Sequence, residues 1–169
     1  MKKDKLPAVF DCMIFLQGLI KEKGVAVDCL DLVENNRIEL FVSEEILAEI
    51  ADVLTRPKLQ AKFSLLTDER VERLLEILNQ KATLIKNVLQ VFDYPRDPKD
   101  EKYINLAAFT KADYIVSRDS DLLDLMTDFT DEAKEFRQRF RPLKVIEPKE
   151  FLQIIKTREQ KRTIFLMQI

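Results

Sequence analysis

Short β-favouring runs alternate with longer amphipathic stretches along the whole chain, and this alternation restricts the fold more than any other feature. Residues 7–11 (PAVFD), 38–43 (IELFVS), 82–88 (ATLIKNV), 114–117 (YIVS) and 144–148 (KVIEP) read as strands. Between them, residues 12–21, 25–37, 44–56, 68–81, 97–112 and 149–159 read as helices, with one more short helix after Asp121. In 68–81 the apolar positions Val71, Leu74, Leu75 and Leu78 fall on one face at about 100° per residue. Ser43 reads as an N-cap with Glu44 and Glu45 in the first turn after it, and Pro57 as that helix's stop. Asp97 reads as another N-cap, with Pro98 in the first helical position. Strands and helices in such alternation build an α/β domain around a mostly parallel sheet. Sites in sheets of this kind open outside the carboxyl ends of the strands.

Two residue types are nearly missing, and their scarcity narrows the chemistry. Among 169 residues there is no histidine, which excludes Ser-His-Asp and Cys-His catalysis and any imidazole metal site. The only glycines, Gly18 and Gly24, cannot form a P-loop or a dinucleotide fingerprint. Chemistry must therefore come from carboxylates, hydroxyls, amines, guanidinium groups or thiols, and carboxylates favour hard cations such as Mg²⁺ or Mn²⁺. The net charge of −2 gives no general basic footprint for nucleic acid, so an anionic substrate needs a local patch or a metal. Cys12 and Cys29 are too few for a disulfide scaffold and suit a reducing, cytoplasmic setting. No apolar run reaches the roughly 18 residues of a membrane span. The length suits one domain, taken as residues 1–156, followed by a tail over 157–169.

Four acids stand out by position. Asp11 ends the first strand, inside the otherwise apolar AVFDCMIFL, although an aspartate here also suits the cap of the next helix. Glu49 borders the apolar stripe of its helix, within roughly 60° of Ile46 and Val53, and either enters a site or snorkels to water. Asp100 heads the apolar face continued by Tyr103, Ile104 and Ala107; a helix dipole explains an acid in a first turn but not its facing inward. Asp119 and Asp121 follow the strand at 114–117, Asp121 the more cap-like and Asp119 the better ligand. Clustered carboxylates repel one another unless a cation joins them, and one divalent metal site accounts for all four placements together.

The blocks VFDCMIFL, SEEILAEIADVLTRPKL, DPKDEKYINLAAFTKADYIVSRDSDLL and VIEPKEFL, in this order and spacing, resemble the PIN domain family, in particular its VapC-like toxin components of toxin–antitoxin systems. The resemblance covers about residues 7–155. It implies a PIN-like three-layer sandwich with a central, mostly parallel sheet, and Mg²⁺- or Mn²⁺-dependent RNA cleavage in partnership with a cognate antitoxin protein. By resemblance Asp11, Glu49, Asp100 and Asp119 are the catalytic, metal-binding acids, with Asp121 a further ligand and Ser117 in support. One departure stands at the first strand end, where the family carries Asp-Thr-Asn or Asp-Thr-Ser and this chain has Asp11-Cys12-Met13. A polar side chain that would orient water is lost there, which leaves a weakened binding or regulatory module as the alternative.

Other acid-bearing folds fit poorly: a haloacid-dehalogenase-type phosphatase needs a second acid where Met13 stands, and a receiver domain needs acids beside the first strand. Cys12 lacks a histidine to activate it and reads as a small buried hydrophobe. Arg96, Lys99, Lys102 and Arg118 flank the acids and are candidate phosphate contacts. The stretch 134–144 (KEFRQRFRPLK) interleaves bases and aromatics, as an RNA-facing edge or as a helix with Phe136 and Phe140 turned inward. A homodimer is expected, with Phe63, Leu65 and Leu66 as a possible contact surface.

Overall fold

The computed structural model describes residues 5–169. Its elements run β1 (Leu6–Phe10), α1 (Cys12–Leu19), α2 (Val25–Glu34), β2 (Ile38–Ser43), α3 (Glu44–Leu54), α4 (Pro57–Lys62), α5 (Asp68–Lys81) and β3 (Thr83–Ile85). A single 3-10 turn (Pro98–Asp100) then leads into α6 (Glu101–Thr110), β4 (Tyr114–Val116), α7 (Ser120–Leu123), α8 (Asp131–Arg139), β5 (Lys144–Ile146) and α9 (Pro148–Met167). The five strands form one sheet in the order β3-β2-β1-β4-β5, and every neighbouring pair is parallel. β1 is buried at all five positions, odd and even alike. A strand hidden on both faces requires helices above and below it, which makes the domain a three-layer α/β sandwich of the PIN type.

Several boundaries follow from local chemistry. Ser43 accepts a hydrogen bond from the Ile46 N–H at 3.1 Å and caps α3. Pro57 acts twice: Arg56 before it is held in the β region (φ −66°, ψ 123°), which stops α3, and the proline then opens α4. β3 is shorter than its sequence run, and Asn87 beyond it takes a left-handed φ of 56° that breaks the extended chain. The Phe136 ring on α8 and the Phe140 ring at its C-cap both pack edge-on against Phe92, at 6.1 and 5.7 Å between centroids, so this segment turns its aromatics inward. α9 continues through 157–167, across the residues taken from sequence as a tail. Of the three residues offered as a dimer surface, Leu66 is buried, whereas Phe63 and Leu65 are half-buried, with Phe63 packed against the core.

Asn105 on α6 holds the loop that leads to the 3-10 turn. Its buried side-chain oxygen accepts from the N–H groups of Val91 and Phe92 at 2.7 and 2.9 Å, and its amide donates to the carbonyls of Phe92 and Glu101. Glu101 adds a bond from the Tyr94 N–H at 2.7 Å. A loop without regular structure is thereby given its backbone partners. Asn105→Leu should cost about 2–4 kcal/mol, the penalty for stranding buried backbone groups, read by urea denaturation; a loss below about 0.5 kcal/mol would mean that the loop finds other partners.

Candidate metal centre

The centre lies where the sheet order reverses. The chain leaves β1 towards β2 on one side and returns to β4 on the other, and such a switch point opens a crevice at the strand ends. Phe10 pairs with Val116, and the Asp11 N–H extends the ladder to the Val116 carbonyl at 3.0 Å. Asp11 and Ser117 are thus brought together across 106 residues of sequence, with the Ser117 hydroxyl donating to Asp11 Oδ2 at 2.6 Å.

Asp11 is only 5% exposed. Its other oxygen, Oδ1, accepts from the Met13 N–H at 2.9 Å and caps α1. Burial pushes its pKa upward; the bonds from Ser117 and Met13 oppose this, while the charges of Asp119 and Glu49 add to it. Ser117, wholly buried, accepts from the Asp119 N–H at 2.9 Å and so ties both acids to one hydroxyl. Asp119 in turn accepts from the Asp121 N–H at 2.8 Å and is the cap of α7. The cap role expected of Asp121 therefore falls to Asp119, because the helix begins at Ser120 rather than after Asp121.

The third contribution comes from the turn before α6. Asp97 caps it, accepting from the Lys99 N–H at 3.1 Å, as its place before Pro98 suggested. Asp97 stands outside the 3-10 turn, at its cap (φ −145°, ψ 88°), and Asp100 ends the turn. One carboxylate oxygen from each of Asp97, Asp100 and Asp119 lies within 4.8 Å of the others. Asp100 is 7% exposed, and its Oδ2 is buried without a hydrogen-bond partner. Burial pushes its carboxyl to a pKa of about 8, with Asp119, Asp97 and Asp11 adding in that order. An unpaired buried oxygen facing further carboxylates fits a hard divalent cation, whose ligands are oxygens and whose charge removes the repulsion.

Glu49 stands apart from this trio. It is half-buried on α3, forms an ion pair with Lys102 and accepts the Tyr103 hydroxyl. Tyr103 accepts from the Cys12 N–H at 3.1 Å, which links Glu49 back to the end of β1. Lys102 also donates to the Lys99 carbonyl at 2.6 Å and lies 5.2 Å from the Tyr103 ring centre. Arg96 has all three guanidinium nitrogens on acids: Asp121 at 2.7 Å, Asp124 at 2.6 Å and Asp128 at 3.1 Å. That clamp ties the loop before the 3-10 turn to the segment after β4 and commits the Asp121 side chain to a cation already present. Arg118 is exposed and donates to the Gln17 side-chain carbonyl at 2.8 Å, and Lys99 is exposed at the turn. A cleft of about 310 Å³ runs past the start of α6, with Pro98, Glu101 and Lys102 on one wall and Ser43, Glu44 and Ile85 among its other lining residues; none of the acids of the centre lines it. Cys12 and Cys29 are free and buried, and burial pushes both thiols up to about 12, which suits packing rather than chemistry.

Acids gathered at the switch point of a parallel five-stranded sheet define an α/β domain with a carboxylate centre. Residues 7–121 match the family model for the PIN domain, a span that holds every acid of the centre, and the chain belongs to that family. It is also 33% identical over 153 residues to the uncharacterized protein MJ1680 of Methanocaldococcus jannaschii, an overlap of 90% of this chain and 94% of that one. No solved structure gives a significant match. Among the described residues no helix is long and apolar enough to cross a membrane.

The centre dictates how the metal-free protein responds to pH. The pKa of Asp100, about 8 in the fold, lies above its ordinary 3.8, so the folded state holds a proton that the unfolded chain gives up. Stability should then fall as pH rises from about 4 to 8. Asp100→Asn should flatten that fall and raise the melting temperature at pH 8 in chelator by about 2–8 °C. Melts at pH 5 and pH 8 that show the same slope in both proteins would mean that another group carries the dependence.

Proposed function

We propose that the chain is a metal-dependent endoribonuclease that hydrolyses phosphodiesters of single-stranded RNA. The observation that carries this reading is the trio Asp97, Asp100 and Asp119 with the unpartnered Asp100 Oδ2. Membership of the PIN family supports it, because PIN domains are generally Mg²⁺- or Mn²⁺-dependent nucleases. Asp100, Asp119 and Asp97 would hold the cation, with Asp11 beside them and Glu49 at the outer edge. When bound, Mg²⁺ or Mn²⁺ supplies charge neutralisation at the phosphate and lowers the pKa of an attacking water.

The chain's own residues supply position. Ser117 orients Asp11 and Asp119 through one hydroxyl, and Asn105 with Glu101 holds the loop that delivers Asp97. Arg96 keeps that loop against α7 through its three acids. Glu49 and Tyr103 hold Lys102 at the edge of the centre, where its ammonium can meet a phosphate as Lys99 and Arg118 can from solvent. The similarity of the sequence blocks to VapC-like proteins extends the proposal to the toxin of a toxin–antitoxin pair, cytoplasmic and held in check by a cognate antitoxin. Met13 supports a second reading, a binding module of low activity, because an exposed thioether stands where the family pattern that the sequence resembles has a polar side chain.

Purified protein incubated with unstructured RNA should cleave it with Mn²⁺ or Mg²⁺ and not with chelator. Asp100→Asn and Asp119→Asn should each lower the rate by more than about 100-fold. Met13→Asn should raise it if the missing polar group limits the site, whereas Cys12→Ala should change little. Cleavage that survives chelator or Asp100→Asn would contradict the nuclease reading; metal binding without cleavage would favour the binding module.

A further inference from the structure

The five acids of the centre fall into two groups by what already holds them. Asp97, Asp100 and Asp119 each bring a carboxylate oxygen within 4.8 Å of the others, and Asp100 Oδ2 is buried with no donor. Asp11 and Glu49 form the other group, and all four of their oxygens have donors. Asp11 takes the Ser117 hydroxyl on Oδ2 and the Met13 N–H on Oδ1. Glu49 takes the Tyr103 hydroxyl on Oε1 and the Lys102 ammonium on Oε2. The groups are neighbours: after burial itself, the charges of Asp119 and Glu49 both raise the pKa of Asp11.

Lys102 is held unlike a surface lysine. Its side chain is 12% exposed, against 29% for Glu49. The ammonium donates to Glu49 and to the Lys99 carbonyl at 2.6 Å, and it lies 5.2 Å from the centre of the Tyr103 ring. A carboxylate, a carbonyl and a ring face together are the surroundings of a bound cation. One stretch of chain assembles most of them, with Lys99 three residues before Lys102 and Tyr103 directly after it. The Tyr103 hydroxyl also fixes Glu49, so the same ring that faces the ammonium orients its carboxylate. Two of the three ammonium protons are used in this way, and one is left.

We propose that Lys102 is a built-in second cation of the centre, so that the chain takes one divalent ion, on Asp97, Asp100 and Asp119, and Glu49 holds the lysine rather than a metal. This inference rests on the reading of that trio as a metal centre. Two-metal sites set a cation on each of the two oxygens of an in-line displacement. Here a fixed ammonium supplies the second charge, and its remaining proton is free for a phosphate oxygen. The lysine is tethered, so it is present at every ion concentration, and an outside ion must displace it to reach Glu49. An ordinary structural ion pair would leave the number of bound ions untouched when its lysine is removed, and that difference is measurable.

Calorimetric titration of Mn²⁺ into the metal-free full chain counts the ions without any assay of cleavage. The parent should bind one per chain. Lys102→Met, which keeps the length of the side chain and removes its charge, should bind a second, and Lys102→Met with Glu49→Gln should lose it again. Lys102→Arg keeps the charge and should stay at one. Glu49→Gln alone should weaken the single ion by less than about 100-fold, the range of an outer partner, whereas Asp119→Asn should exceed that loss. In chelator Lys102→Met should melt below the parent, because Glu49 is left without its cation, and Mn²⁺ should then raise its melting temperature by more than it raises the parent's. Two ions bound by the parent, or one by a folded Lys102→Met, would overturn the proposal and leave the metal centre standing. If Lys102→Met does not fold, Glu49→Gln decides, since a loss beyond about 100-fold makes Glu49 a ligand and overturns the proposal. A folded parent that binds no ion would remove the metal-centre reading itself, and the proposal with it.

Discussion

The parallel pairing of β1 with β4 is the constraint on which the centre depends. Neither strand carries a complete site. Their register sets Phe10 opposite Val116, and the next backbone bond, from Asp11 to the Val116 carbonyl, places an acid from near the start of the chain against Ser117 and Asp119. Because a parallel strand can only be reached by a crossover, everything between residues 11 and 114 has to be packed around this one junction. α6, the element that leads back into β4, starts with the turn that adds Asp97 and Asp100. A change of register by one residue would turn every side chain on either strand to the other face and dissolve the centre.

The fold manages this accumulation of negative charge by giving nearly every carboxylate a donor. Asp11 has Ser117 and a helix N-terminus, Asp119 has the start of α7, Glu49 has Lys102 and Tyr103, and Asp121 has Arg96. Asp100 Oδ2 alone among these oxygens is buried with nothing to accept. Leaving a buried acceptor unpaired costs about 1–3 kcal/mol, and it persists where function rather than stability sets the residue. The same contrast separates the centre from the Arg96 clamp, a set of three acids already neutralised by a guanidinium. One acidic cluster has its cation within the chain, and the other does not.

Much of this was legible in the sequence wherever the deciding chemistry is local. Ser43 as a cap, the helix at 68–81 and the strand at 38–43 follow from spacing and side-chain type over a few residues. The parallel α/β class followed from alternation alone. The pairing of Glu49 with Lys102 and Tyr103 was not legible, because it joins α3 to α6 across 54 residues and is set by packing. Asp97 was read only as a cap; its second role depends on a short 3-10 turn between it and Asp100, which brings both carboxylates near Asp119, and the spacing of three in DPKD was the available signal. The last helix was read over 149–159, and its continuation to Met167 was missed because Ile164–Met167 breaks the amphipathic period.

Proton release on metal binding tests the central claim most directly. If Asp100 is protonated in the metal-free protein at pH 7 and becomes a ligand, Mn²⁺ must displace that proton. Calorimetric titrations in buffers of different ionisation enthalpy count the protons without any assay of activity. The account predicts binding with release of close to one proton at pH 7, a release that shrinks towards pH 9 and is lost in Asp100→Asn. Binding with no proton released, or a release unchanged in Asp100→Asn, would contradict it.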